Sequence, residues 1–66
     1  MLTMELNIRK IEKERERLGI SIKELAKALG MHYQGLDYIY RMKSTNLKTI
    51  QRIADYFGID GKDLII

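Results

Sequence analysis

The sequence predicts an all-α fold, in which five short helices form a single domain over residues 1–66. Apolar residues recur at helical intervals of three and four, and no four-residue stretch shows the alternation of a β-branched strand. The chain has no proline, and of its five glycines all but Gly35 fall where a helix is expected to begin or end. This pattern favours short helices joined by tight turns.

Helix 1 is predicted from about Thr3 or Met4 to Leu18. Helix 2 is predicted to begin at Ser21, because Ser21 and Glu24 have the spacing of a capping box, and to end at Gly30. The side chains expected on the buried faces of these two helices are Leu6, Ile8, Ile11, Leu18, Leu25, Ala26 and Leu29.

Helix 3 is predicted from His32 to about Met42, with Leu36 and Ile39 facing the core. Helix 4 follows, with Asn46 as its N-cap and Gly58 at its end. A short helix 5, capped by Asp60, is expected to carry Leu64 and Ile65. The apolar positions expected on helix 4 are Leu47, Ile50, Ile53, Ala54 and Phe57.

Composition excludes several classes of protein. The chain has no cysteine and one histidine, so a disulfide framework, a thiolate zinc site and a thiol nucleophile are excluded, and no metal or cofactor is expected. No apolar run approaches the roughly 18 residues of a membrane span, and the sequence shows no signal-peptide pattern, so neither segment is expected. A 66-residue chain without an evident acid/base pair is not expected to be an enzyme or to hold a small-molecule ligand. We therefore expect a cytoplasmic binding module.

Positive charge is concentrated in one segment. The net charge is +3, yet residues 38–54 carry four basic residues and no acidic one. These four residues are Arg41, Lys43, Lys48 and Arg52.

The segment from Ser21 to Met42 is predicted to be a helix-turn-helix. Two helices joined by a turn as short as Gly30-Met31 must cross at a wide angle, and the small Ala26 permits their close approach. In such a unit the second helix can project into the major groove of DNA.

These residues also carry a family resemblance. The run from Ser21 to Met31, followed by Leu36 and Ile39, resembles the phage-repressor/Cro-type (XRE-type) helix-turn-helix family. The resemblance covers roughly residues 6–65. It continues through Leu47, Ile50, Ile53-Ala54, Phe57-Gly58-Ile59 and Asp63-Leu64. It implies a five-helix, lambda-repressor-like DNA-binding domain, usually dimeric, that acts as a transcriptional regulator, here expected to be a repressor.

The chain departs from the family pattern mainly on the surface expected to face DNA. Ile22 stands where the family commonly has a phosphate-contacting Gln, and Met42 where it commonly has a Gly. Tyr40 replaces a Glu that commonly pairs with the Arg matched by Arg15, so that ion pair cannot form here. Tyr33, Gly35 and Tyr38 replace short polar or Gln/Arg side chains.

The spacing on helix 3 predicts which side chains could contact DNA. With Leu36 and Ile39 inward, Gln34, Tyr38 and Arg41 form an outward stripe. Gln34 can bond adenine and Arg41 can bond guanine or a phosphate, whereas Asp37 must accept from a cytosine amine, orient Arg41 or lie off the interface. The predicted base contacts are Tyr33, Gln34, Asp37, Tyr38 and Arg41. The predicted phosphate contacts are Ser21, Lys23, His32, Lys43, Ser44, Thr45, Asn46 and Lys48.

Because one helix in one groove makes few contacts, we expect a homodimer that binds a palindromic operator in double-stranded DNA. Its expected location is the nucleoid. The predicted dimer interface is Tyr56, Leu64, Ile65 and Ile66, although Leu64 and Ile65 could instead close the core.

The alternative function is a helix-turn-helix used for protein interaction through Tyr33, Tyr38 and Tyr40. Gly35 suits either close approach to DNA or packing room beside helix 2.

Overall fold

A computed structural model describes residues 4–66 of the chain. Its elements, in order, are β1 (Met4–Glu5), α1 (Ile8–Leu18), α2 (Ile22–Ala28), α3 (Tyr33–Met42), β2 (Ser44–Thr45), α4 (Leu47–Phe57) and a 3-10 helix (Gly61–Leu64). The small helical domain predicted from the sequence is confirmed. The predicted count of five helices is wrong, because these residues form four α-helices, one 3-10 turn and a two-stranded sheet.

The beginning of the chain differs from the prediction of a helix from residue 3 or 4. Thr3 lies outside the described residues, and Met4–Glu5 form β1, which pairs antiparallel with β2, Met4 opposite Thr45. Helix α1 starts only at Ile8, because the Asn7 side chain accepts a hydrogen bond from the Lys10 amide at 3.1 Å and caps the helix.

The predicted fifth helix is a single 3-10 turn. Asp60 occupies its N-cap position without a side-chain capping bond, and the turn is closed by backbone contacts such as Asp63 N to Asp60 O at 3.0 Å. The turn places Leu64 in the core. Beyond it, Ile65 forms a β-bridge with Leu6, so the C-terminus lies beside β1.

One apolar core joins all four helices. Its buried members are Leu6, Ile11, Leu25, Ala26, Leu29, Leu36, Ile39, Ile50, Ile53, Ala54, Phe57 and Leu64. Leu18, predicted to be buried, is exposed, and so is Leu47, one of the apolar positions expected on helix 4. Leu18 is the last residue of α1 and Leu47 the first of α4, so both extend past the region where the helices pack.

The local signals around α2 and α3 are confirmed. Ser21 Oγ accepts from the Glu24 amide at 3.1 Å, and the Glu24 carboxylate accepts from the Ser21 amide at 2.9 Å, which completes the capping box. Gly30 ends α2 with a φ of +69°, in the left-handed region that favours glycine. The Met31 amide then bonds the Ala26 carbonyl at 2.9 Å. The turn between α2 and α3 is therefore closed by backbone hydrogen bonds.

Candidate nucleic-acid interface

Helix α3 has one face in the core and one in solvent. Leu36 and Ile39 are buried, as predicted, and anchor the helix. Gln34, Tyr38 and Arg41 are exposed on the opposite side, and 57% of the Tyr38 surface is accessible. The structure therefore brings the predicted outward stripe together on one rigid element.

Asp37 and Arg41 form an ion pair across one turn of α3. Asp37 Oδ2 lies 3.4 Å from Arg41 Nε, and both side chains remain substantially exposed, at 45% and 71%. Of the roles left open for Asp37, orientation of Arg41 is the one that this contact supports. The contact of the pair is made through Nε of Arg41.

Tyr33, the first residue of α3, contacts the neighbouring helix. The Lys23 ammonium on α2 lies 5.4 Å from the centre of the Tyr33 ring, within the range of a cation–π interaction. His32 is exposed beside it. These residues line an open groove of about 430 Å³ between α2 and α3, together with Ala26, Lys27, Gly30 and Met31. Lys27 is a cation of this groove that the sequence analysis did not assign.

The exit from α3 is held by Lys43. The helix continues through Met42, and Lys43 takes the left-handed position, with a φ of +55°. Its amide bonds the Ile39 carbonyl at 2.8 Å, and its own carbonyl accepts from the Leu6 amide at 2.8 Å. Lys43 therefore has a fixed backbone and an exposed side chain at the end of α3.

The loop from Ser44 to Lys48 offers fewer phosphate ligands than predicted. Thr45 is buried in β2 opposite Met4, so the expectation that its hydroxyl contacts phosphate is corrected: strand pairing covers it. Ser44 is half-buried. The Asn46 side chain accepts from the Thr49 amide at 2.9 Å, which confirms it as the cap of α4. Lys48 is exposed on the first turn of α4.

Ser21 is exposed at the N-cap of α2, two residues before Lys23. Its hydroxyl oxygen already accepts the capping bond, so only the hydroxyl proton is left for an outside acceptor. The Ser21 amide is held by Glu24, and this hydrogen bond lowers the pKa of the Glu24 carboxyl.

Tyr40 lies against the core instead of on the interface. Its hydroxyl is buried and has no hydrogen-bond partner among the described residues. Burial first, and then the Glu12 carboxylate, raise the pKa of the Tyr40 hydroxyl, while Arg15 opposes them. Arg15 donates instead to Glu12, with Nε 2.8 Å from Oε2, and to the Ile20 carbonyl. The family commonly pairs this arginine with a Glu at the position of Tyr40. Here Glu12, on α1 itself, supplies the carboxylate that pairs with Arg15.

Arg52 has a structural role that the sequence analysis missed. Its guanidinium on α4 donates to the Leu29 carbonyl at the end of α2. Because Leu29 lies 23 positions away, no local pattern could have indicated this contact. One of the four cations of the basic segment, although exposed, therefore also stabilises the helix-turn-helix.

The predicted dimer residues are divided between the core and the surface. Leu64 is fully buried in its own chain, so it is not available to a second copy, in agreement with the alternative that it closes the core. Ile65 is half-buried against Leu6. Tyr56 and Ile66 remain exposed, and Ile66 is 74% accessible.

Comparison with known proteins supplies the family. A helix-turn-helix family model matches residues 11–64, which include α2, the turn and α3. The chain belongs to the XRE/Cro-type helix-turn-helix family, a class of DNA-binding regulators. No curated protein and no solved structure matches the chain.

Two further properties concern the described residues alone. None of the helices in residues 4–66 is long and apolar enough to cross a membrane. Within the same residues, no three His, Cys, Asp or Glu side chains lie together in a way that could hold a metal ion.

Proposed function

We propose that this chain is a transcriptional repressor that binds double-stranded DNA sequence-specifically, with α3 in the major groove. The observation that carries the proposal is the outward face of α3, where Gln34, Tyr38 and Arg41 are exposed above a buried anchor. Gln34 would bond the N6 and N7 edge of adenine, and Arg41 the O6 and N7 edge of guanine. The rings of Tyr33 and Tyr38 would contact thymine methyl groups.

Exposed cations on both sides of α3 support the proposal. Lys23 lies on α2 before it, and Lys43 and Lys48 follow it. Cations at these positions would neutralise the two phosphate backbones that border a major groove and release condensed counterions. The proposed phosphate contacts are Ser21, Lys23, His32, Lys43, Ser44, Asn46 and Lys48.

A homodimer on a palindromic operator is the second part of the proposal. Exposed apolar surface at Tyr56 and Ile66 supports pairing through the C-terminal end of the domain. Two copies would place their α3 helices in grooves roughly 34 Å apart. Light scattering after size exclusion should give the mass of a dimer at tens of micromolar, and Ile66→Asp should shift it to the monomer. A monomer at every protein concentration would contradict dimerisation but not the proposed role of α3 in binding DNA. We place the protein in the cytoplasm, at the nucleoid.

Selection from random duplex DNA at about 100 mM salt tests the function. We expect an enriched palindrome whose half-sites are separated by about ten base pairs. Affinity for it should fall steeply between about 50 and 200 mM salt, because several phosphate contacts are made. Failure to bind any duplex would contradict the proposal.

Two variants separate base contacts from phosphate contacts. Gln34→Ala should relax preference at one base position and cost about 1–3 kcal/mol there. Lys43→Ala should weaken binding to all sequences about equally and lower the salt slope by about 1. Lys13→Ala, on an exposed position of α1, is the matched control for charge. Equal, sequence-independent losses in the first two variants would contradict the role given to Gln34.

A protein-interaction function is the second candidate, and one observation favours it. Tyr38 and Met42 are one helical turn apart on α3 and are 57% and 56% exposed, so they present adjacent apolar surface that a protein partner could cover. Because Tyr40 packs against the core, this surface consists of Tyr33, Tyr38 and Met42. Binding to a protein partner should vary little with salt, in contrast to binding to DNA.

A further inference from the structure

The Asp37–Arg41 pair is difficult to explain as a stabilising contact. Asp37 is the one acidic residue of α3 and lies on the side proposed to face a polyanion. An exposed pair one turn apart contributes little to helix stability. Arg41 also lies in the last turn, where the helix dipole favours a cation without help from a carboxylate. Helix stability therefore does not explain why Asp37, which would repel phosphate, lies on this side of α3.

The spacing of the pair matches one edge of DNA. Its acceptor, Asp37 Oδ2, and its donor, Arg41 Nε, are 3.4 Å apart. In the major groove a C·G pair presents a donor, cytosine N4, beside an acceptor, guanine O6, and the two are joined by a hydrogen bond of about 2.9 Å. The carboxylate and the guanidinium of the protein pair are therefore about as close together as the cytosine amine and guanine O6, with the carboxylate facing the amine and the terminal nitrogens of the guanidinium facing O6.

The other base pairs fit less well. Thymine O4 and guanine O6 and N7 are acceptors and would repel the carboxylate, and the adenine amine is flanked by the acceptor N7. Cytosine carries no acceptor of its own beside its amine, and the guanine O6 next to it is the atom that Arg41 meets. The carboxylate thus selects cytosine both by the bond it accepts and by the bases it repels.

We infer that Asp37 and Arg41 act as one unit that selects a single C·G base pair. The carboxylate accepts from cytosine N4, and the terminal nitrogens of Arg41 donate to O6 and N7 of the paired guanine. Asp37 is then a specificity-determining residue that reduces affinity for every other sequence. This inference rests on the proposed function, since it requires α3 to lie in the major groove.

The test measures binding to the selected operator and to its single-base-pair variants. The wild-type protein should prefer C·G by roughly tenfold or more at one position of each half-site. Asp37→Ala should lose that preference and bind unrelated duplex DNA more tightly, because a negative charge is removed. Arg41→Ala should lose the preference at the same position. Asp37→Asn should move it toward A·T, since an amide bonds adenine N6 and N7.

Asp55→Asn is the matched control, because it removes the same charge from an exposed position of α4. It should leave the preference at every position unchanged. Thermal unfolding of each variant should follow that of the wild type, since Asp37 and Arg41 are exposed.

Three results would overturn the inference. A uniform gain of affinity in Asp37→Ala, with every preference intact, would leave Asp37 as a purely repulsive charge. If Asp37→Ala and Arg41→Ala lose base preference at two different positions of the operator, the two residues do not select one base pair. A wild-type protein that selects no sequence would overturn the proposed function and this inference with it, whereas the first two results leave the proposed function standing.

Discussion

Arg52 on α4 donates a hydrogen bond to the carbonyl oxygen of Leu29, where α2 ends and the turn into α3 begins. Carbonyls in the last turn of a helix have no partner within the helix, so a guanidinium placed there satisfies one of them and stabilises the negative end of the helix dipole. The contact links α4 to the turn that sets the angle between α2 and α3. It also lies close to Gly30, where an added Cβ would be 3.3 Å from Arg52 Nη2.

Removal of this contact should destabilise the domain. Arg52→Ala leaves the Leu29 carbonyl without its donor, and we expect the free energy of unfolding in urea to fall by about 1 kcal/mol. Lys48→Ala, also exposed on α4, serves as the control and should change it by less than about 0.5 kcal/mol. Equal effects of the two substitutions would show that the guanidinium contributes only as a surface charge.

Gly35→Ala should stabilise the domain. Gly35 lies inside α3 with ordinary helical backbone, and an added Cβ would meet only the Met31 side chain at 3.8 Å, so the packing reason for this glycine does not hold. We expect a gain of about 0.5–1 kcal/mol from the lower entropy of the unfolded chain. Gly58→Ala is the contrasting variant and should destabilise, because the φ of Gly58 is +72°.

The same variant tests why α3 contains a glycine. With packing excluded, close approach of the helix backbone to DNA remains, so Gly35→Ala should bind the operator more weakly while unfolding at a higher temperature. Unchanged affinity together with higher stability would remove the functional reason for Gly35.

Lys43→Gly should separate stability from binding. Lys43 adopts a left-handed conformation that costs a non-glycine residue about 1 kcal/mol, so glycine should stabilise the fold by about that amount. The variant should nevertheless bind DNA more weakly, with a salt slope lower by about 1, because a phosphate contact is lost. Lys43→Ala should show the same loss of binding without the gain in stability. A Lys43→Gly protein that binds as tightly as the wild type would contradict the phosphate contact.

Acid should weaken the N-cap of α2. The hydrogen bond from the Ser21 amide lowers the pKa of Glu24 in the folded protein below its unfolded value. The ionised carboxylate therefore contributes stability above its ordinary pKa, and this contribution is lost as the pH falls through the lowered value. Thermal unfolding measured between about pH 6 and pH 3 should show this loss.

Glu24→Gln identifies the contribution of this one residue. Glutamine keeps the capping bond but does not ionise, so the acid-dependent loss should be smaller than in the wild type. It should not vanish, since the pKa of Glu14 is also lowered, mainly by its hydrogen bond with Arg17. A loss identical to that of the wild type would contradict the role of the capping box.

The parts of the fold that the sequence predicted well depend on neighbours in the chain. The capping box of Ser21, the left-handed exit at Gly30 and the cap at Asn46 each involve residues three or four positions apart, and all three are present. The exposed stripe on α3 follows from the helical repeat once Leu36 and Ile39 are buried.

The parts of the fold that the sequence did not predict depend on contacts between residues that are far apart in the chain. Met4 pairs with Thr45, and Leu6 with Ile65, so Met4–Glu5 form a strand instead of a helix turn. Strand pairs of two residues carry no periodicity that a sequence pattern could detect. The same pairing removes Thr45 from the candidate interface.

The helix-turn-helix and the side chains that α3 presents to solvent could be predicted from local sequence, because caps and helical periodicity act over single turns. The roles of Arg52, Tyr40 and Lys23 could not, because they follow from the packing of the helices. This packing assigned Arg52 to the end of α2, placed Tyr40 against the core and brought Lys23 over Tyr33. Each of these roles depends on a partner from another helix, and which partner a long side chain meets is set by how the helices pack.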